Sequence, residues 1–155
     1  MEMSQIENTL EICELFRGLE KADIERIADL CEVKTFNAGE YVFQQGDLGE
    51  RIYIVSEGYV FLERSVDVGS YKGNAMIGMF GRGKAFGCWS TILDGPHNLM
   101  SSAICKKATK VVAMNGEDLR GVMFSNSRLG LRIMEKICLL LRNRIQGAWG
   151  AMEKI

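Results

Sequence analysis

The residues of this chain best suited to chemistry are five cysteines, a single histidine and two cations set among glycines. The thiols stand at Cys13, Cys31, Cys88, Cys105 and Cys138. They are widely spaced and form no CxxC pair, whereas zinc and iron–sulfur sites draw on clustered ligands. No metal site is expected. His97 is the lone histidine. A catalytic triad would need it near Ser and an acid, and a cupin-type metal site would need several such residues. No HExxH string occurs, and Asp94, followed by Gly95-Pro96, reads as a turn former. No catalytic residue is assigned, and the chain is not expected to be an enzyme.

Two sharper readings attach to the segment from Gly81 to Cys88. Gly81-Arg82-Gly83-Lys84-Ala85-Phe86-Gly87 looks loosely like a glycine-rich phosphate loop. Such loops follow a strand and open a helix within a βαβ unit. Here β-type sequence lies on both sides, so a hairpin turn is the expectation. Cys88 follows Gly87 at a potential helix start, where a thiol's pKa falls; that would suit a redox sensor or a haem ligand. Set against this is a small residue packed in a pocket, the commoner fate of a buried cysteine.

The elements that must position these residues fall into three zones. In residues 1–32, Leu10, Leu15, Ile24, Ile27, Ala28 and Cys31 recur at helical spacing, with Gly18 breaking the run. Two short helices follow, the second entered near Lys21–Ala22. Residues 33–114 turn to β-formers between glycine-marked turns. Strands are expected at 33–36, 40–44, 51–56, 59–65, 74–79, 101–106 and 109–114, with turns that include 68–73, 81–83 and 94–96. Regular short strands of this kind indicate a sandwich or barrel. In residues 115–155, Asn115-Gly116-Glu117-Asp118 places an N-cap before acids, a short helix runs to Phe124, and a long one starts at Ser127. Its stripe of Leu129, Ile133, Ile137, Leu140, Leu141, Ile145, Ala148 and Met152 either packs on the β zone or pairs with a second copy. The homodimer is favoured, because an exposed apolar stripe is costly.

Residues 38–62, AGEYVFQQGDLGERIYIVSEGYVFL, are the most specific stretch. Gly39-Glu40, Val42-Phe43, Gln45-Gly46-Asp47, Gly49, Tyr53-Ile54-Val55 and Gly58 set glycines between strands at fixed intervals. This pattern resembles the cyclic-nucleotide-binding domain family, of the catabolite activator and protein kinase A regulatory subunit type. Phe16, Gly18-Leu19 and Ile24 resemble the family's entry helix, and the helices after residue 115 fit its exit. The resemblance implies a mainly β fold: a double-stranded β-helix, a jelly-roll-like β-roll, flanked by N-terminal helices and a long C-terminal helix. The whole of 1–155 is then one such domain, without a helix-turn-helix module.

The resemblance also locates a ligand site. The family's phosphate cassette runs from Phe-Gly-Glu through small residues to Pro-Arg; the Glu accepts from the ribose and the Arg pairs with the cyclic phosphate. Here the string is FGCWSTILDGPHNLMSSA, residues 86–103. The implied pocket comprises Phe86, Gly87, Cys88, Trp89, Ser90, Pro96, His97, Asn98, Leu99, Met100, Ser101 and Ser102. Phe86-Gly87 and Pro96 match, but Cys88 takes the Glu position and His97 the Arg position. No Arg lies between Arg82 and Arg120, leaving Arg82 and Lys84 as the candidate anion contacts. Separating a buried charge from its partner costs roughly 3–5 kcal/mol, about two to four decades of affinity. The expectation is a regulatory sensor with altered or lost cyclic nucleotide binding, signalling through the C-terminal helix. The alternatives are an interaction scaffold with Trp89 filling the pocket, a true cAMP or cGMP binder, and the Cys88 sensor. No cofactor is required.

Composition agrees with this class. The chain has 155 residues, 47% of them hydrophobic, and a net charge of −1. That balance fits a single globular domain and gives no global pull toward DNA or an anionic membrane. The acidic start is no signal peptide, and no apolar run reaches the roughly 18 residues of a membrane span. Free thiols then point to the reducing cytoplasm. A partner protein is the expected receiver of the signal.

Overall fold

A computed structural model describes residues 2–153, with side chains at 68, 71 and 148–153 excepted. Two helices, α1 (Glu2–Ile12) and α2 (Lys21–Ala28), lead into strands β1 (Cys31–Phe36), β2 (Tyr41–Phe43), β3 (Leu48–Gly49), β4 (Arg51–Glu57), β5 (Val60–Val68), β6 (Tyr71–Phe80) and β7 (Ala85–Gly87). A single helical turn, α3 (Ser90–Leu93), precedes β8 (His97–Asn98), β9 (Ser102–Ile104) and β10 (Thr109–Asn115). Helices α4 (Gly116–Ser125) and α5 (Ser127–Glu153) follow. The strands form two four-stranded sheets, ordered β1-β10-β4-β7 and β2-β9-β5-β6, with β3 and β8 paired separately. All pairings are antiparallel. This is the mainly β roll with flanking helices that the sequence implied.

The central strands explain why two cores form. In β4, Ile52 and Ile54 face the helices, whereas Tyr53 and Val55 face the other sheet. In β10, Val112 and Met114 join the first core, and Val111 and Ala113 the second. Side chains alternate across a strand, so a strand covered on both faces must be apolar throughout. The helix-side core gathers Ile6, Leu10, Phe16, Ile24, Ile27, Leu119 and Ile133 on β4 and β10. The inter-sheet core is aromatic: Phe86 stacks on Tyr53 at 5.3 Å and on Phe80 at 5.9 Å, with Phe43 at 6.0 Å.

Cys31, read into the helical run, instead opens β1 after α2 ends at Ala28, but other local signals acted where expected. The Asn115 side-chain oxygen accepts from the N–H groups of Glu117 at 2.9 Å and Asp118 at 3.4 Å, capping α4. Helix α2 opens at Lys21. The β5–β6 hairpin departs from expectation: the strands reach Val68 and Tyr71, so the turn is Gly69-Ser70 and not 68–73. Gly69 has φ +72°. The hairpin's outer arms pair polar residues, including Ser65 with Asn74 and Asp67 with Lys72. Such pairs extend a ladder without producing apolar alternation. The short pieces β7, α3 and β8 lay in what read as loop, because two or three residues carry no period.

Candidate functional site

Strand β7 enters the site from the aromatic core. Phe86 is 1% exposed, and Gly87 ends the strand against β4, where the Cys88 N–H donates to the Arg51 carbonyl at 3.0 Å. The chain then makes the α3 turn. The Thr91 hydroxyl donates to the Cys88 carbonyl at 2.8 Å, and the Ser90 hydroxyl to the Gly95 carbonyl at 2.7 Å. The return path is held by β8 against β3 and by Leu99, whose N–H donates to the Asp47 carbonyl at 2.8 Å. These constraints leave an open cleft of about 310 Å³.

The structure brings together Phe86, Gly87, Cys88, Trp89, Ser90, His97, Asn98, Leu99, Met100 and Ser101 around this cleft. Phe43 and Leu62 complete the apolar wall. Pro96 and Ser102 do not line it. Ser102 turns instead toward the neighbouring strands, where its hydroxyl accepts from the Gln45 N–H at 2.8 Å. Trp89 forms part of the wall and leaves the cleft open. The Cys88 thiol is buried and lies 3.2 Å from the Ser90 hydroxyl. No group of three metal-ligating side chains occurs among the described residues.

The expectation for Arg82 and Lys84 is corrected. Both sit at the Gly81–Gly83 turn, the opposite end of β7 from the cleft. Arg82 lines a separate, larger and polar cleft of about 750 Å³ with Ser4, Gln5, Lys107 and Lys110, and Lys84 is exposed. A strand through the core separates them from the cassette.

The cation at the cleft is one that sequence reasoning missed: Arg144 of α5. Its guanidinium stacks over Phe80, 4.5 Å from the ring centroid, and lies 5.8 Å from that of Trp89. It donates to the Ala85 carbonyl and sits 3.9 Å from the Glu14 carboxylate. Glu14 in turn accepts from the Ala85 N–H at 3.0 Å. Burial draws the pKa of Arg144 below its ordinary value, and Glu14 opposes that shift.

The stripe on α5 is also corrected. Leu129, Ile133, Ile137 and Leu140 are buried in the chain's own core, each 7% exposed or less, so they hold α5 to the roll and form no dimer face. Leu141 and Ile145 flank that buried stripe and are exposed. The Ala148 side chain lies outside the described residues. The sequence stripe had merged the buried face of the helix with its exposed flank.

The profile of the cyclic nucleotide-binding domain matches residues 33–126. The cyclic AMP receptor protein of Thermus thermophilus is 28% identical over 134 residues, 86% of this chain and 58% of the relative. A cAMP-dependent protein kinase regulatory subunit of Dictyostelium discoideum is 29% identical over 90 residues, 58% of this chain and 28% of the relative. The chain thus spans less than two thirds of either. Among solved structures, a cyclic nucleotide-binding domain from Methylobacillus flagellatus shares the fold with a TM-score of 0.80 at 17% identity, covering 99% of this chain and 84% of that one. The Thermus thermophilus catabolite activator protein gives a TM-score of 0.72 at 25% identity, covering 90% and 62%. With more than half of its length inside the family profile, the chain belongs to the cyclic nucleotide-binding domain family.

Proposed function

We propose that the chain is a non-enzymatic sensor or regulatory module whose cleft has departed from the usual cyclic nucleotide and whose output is the position of α5. The observation that carries this reading is the cleft's charge content. The cassette offers Cys88 and His97 where Glu and Arg are expected, no carboxylate among the described residues lines the cleft, and the cation there comes from α5. A cyclic nucleotide bound in the family's manner would lack both the cassette Glu for its ribose and the cassette Arg for its phosphate, Arg144 approaching from α5 instead, and losing one partner of a buried charge pair costs roughly 3–5 kcal/mol. Calorimetric titration with cAMP and with cGMP is therefore expected to give Kd values weaker than about 100 µM. Micromolar binding of either overturns the altered-pocket reading.

The same reading includes a homodimer that delivers the signal to a partner protein, within a reducing cytoplasm that suits five free thiols. Leu131, Met134, Cys138, Leu141 and Ile145 follow one another at spacings of three and four along a strip of α5 beside its buried face, Met134 itself being partly buried against the core, and Ala148 continues the series in sequence. That is a heptad seam, and Leu131, Cys138, Leu141 and Ile145 are exposed within a single chain. In a parallel pair, Cys138 would face its copy, within the roughly 7 Å Cα separation a disulfide tolerates. Copper-phenanthroline oxidation is expected to yield a disulfide-linked dimer that Cys138→Ser abolishes. A sedimenting monomer that resists cross-linking overturns the dimer. No helix among the described residues is long and apolar enough to cross a membrane.

A further inference from the structure

We propose that Arg144 is the anion-recognising group of the cleft, and that its ligand is a small singly charged anion with an apolar body, which competes with Glu14 for the guanidinium. The inference rests on reading the cassette cleft as a ligand site, and it names the chemistry and the regulation of that site.

Three observations carry it. Arg144 is the one Arg or Lys lining the cleft among the described residues, and no carboxylate lines it. The remaining wall is dominated by Leu62, Phe86, Trp89, Leu99 and Met100, which complements an apolar or aromatic body. The guanidinium is half-buried and only partly tied down by the protein. A guanidinium carries five N–H donors; the Ala85 carbonyl takes one, and Glu14 stands 3.9 Å away, beyond a direct hydrogen bond. Donor capacity is left over, spread across the Phe80 and Trp89 rings at the edge of the cleft.

The placement of Arg144 makes binding and output one event. The residue sits on α5, four positions after the buried Leu140, whereas Glu14 follows α1 and bonds the β7 backbone. An anion that draws the guanidinium into the cleft weakens the tie between α5 and the α1–β7 corner. The ligand thus prefers one arrangement of α5 over the other, which is what a population shift requires.

The test uses a matched pair of probes on the full chain. Anilinonaphthalene sulfonate is an apolar-bodied monoanion, and N-phenyl-1-naphthylamine is the same body without the charge. The sulfonate is expected to bind at least about tenfold more weakly to Arg144→Gln, a change of about 1.4 kcal/mol, with Arg144→Lys in between. The neutral amine should differ by less than twofold across these variants. Glu14→Gln should tighten the sulfonate, because the guanidinium loses its competitor. Shifts of the Trp89 indole N–H in ¹⁵N spectra place the dye at the cleft and not on the exposed seam of α5. A sulfonate affinity unchanged by Arg144→Gln, an equal loss for both dyes, no binding to the unmodified chain, or binding that leaves Trp89 unmoved would each overturn the proposal. An unchanged affinity in Glu14→Gln overturns the competition. Micromolar cyclic nucleotide binding defeats the altered-pocket reading alone, since the contrast between the two dyes is read independently.

Discussion

Phe86→Ala is expected to lower the free energy of unfolding by about 3–5 kcal/mol, the range for removing a fully enclosed aromatic side chain. The residue stands where both sheets and the cassette meet. It contacts Phe43, Tyr53 and Phe80 at ring separations of 5.3 to 6.0 Å, so four rings share a single packed cluster. Aromatic pairs contribute about 0.5–1.5 kcal/mol beyond the area they bury. The backbone cannot close over the void: β7 is a three-residue strand pinned to β4 by the pairs Ile52–Gly87, Tyr53–Phe86 and Ile54–Ala85. Small domains are stable by only about 5–15 kcal/mol, so the variant should be at the edge of folding at body temperature. Urea denaturation followed by circular dichroism reads the effect directly, and Phe86→Leu should recover well over half of it. A loss below about 1.5 kcal/mol would mean that the roll collapses into the space and that the cluster is not the rigid hub its geometry implies.

The same packing explains what the sequence made legible. Strand β4 could be placed because Ile52, Tyr53, Ile54 and Val55 form an unbroken apolar run, the mark of a strand buried on both faces. The glycines of residues 38–62 fixed the turns, since backbone conformation at those points is decided locally. The entry and exit helices followed from Leu10, Ile24 and Ile27 and from the Asn115 cap. What failed to read out was placement in three dimensions. Arg82 and Lys84 are close to Phe86 along the chain but are carried to the other end of β7. Arg144 is 56 residues from Cys88 in sequence and faces the same cleft. A signal for it was present: Leu129, Ile133, Ile137, Leu140 and Arg144 stand at spacings of 4, 4, 3 and 4, so the core-facing stripe ends in a cation. A charge in register with a buried stripe must find a partner or a cavity. Reading Leu141 and Ile145 into that stripe hid it, because an apolar flank beside a buried face presents two registers that overlap in sequence.

Gly87→Ala is expected to cost about 2–6 kcal/mol, combining backbone strain of about 1–3 kcal/mol with overpacking of a similar size. Gly87 has φ +127°, a conformation that residues with a Cβ rarely adopt. A Cβ there would lie 2.5 Å from the Arg51 carbonyl oxygen and 3.2 Å from the Ile52 Cα. Neither atom can retreat easily. The Arg51 carbonyl accepts the Cys88 N–H at 3.0 Å, and β4 is held between β10 and β7. Gly95 supplies the comparison within the same loop: its φ is +130°, yet nothing lies within 4 Å of a Cβ built on it. Gly95→Ala should therefore show the strain alone, about 1–3 kcal/mol, and the difference between the two variants isolates the clash. The loss at Gly87 should also reach the cleft. Relief of the contact requires β7 to move off β4, which displaces Cys88 and the Ala85 carbonyl that holds Arg144. Naphthalene sulfonate affinity should then fall in Gly87→Ala under conditions where it remains folded, and hold in Gly95→Ala. Equal stability losses in the two variants would place Gly87 farther from Arg51 than its geometry requires, and would remove the rigid junction between roll and cassette on which coupling to α5 depends.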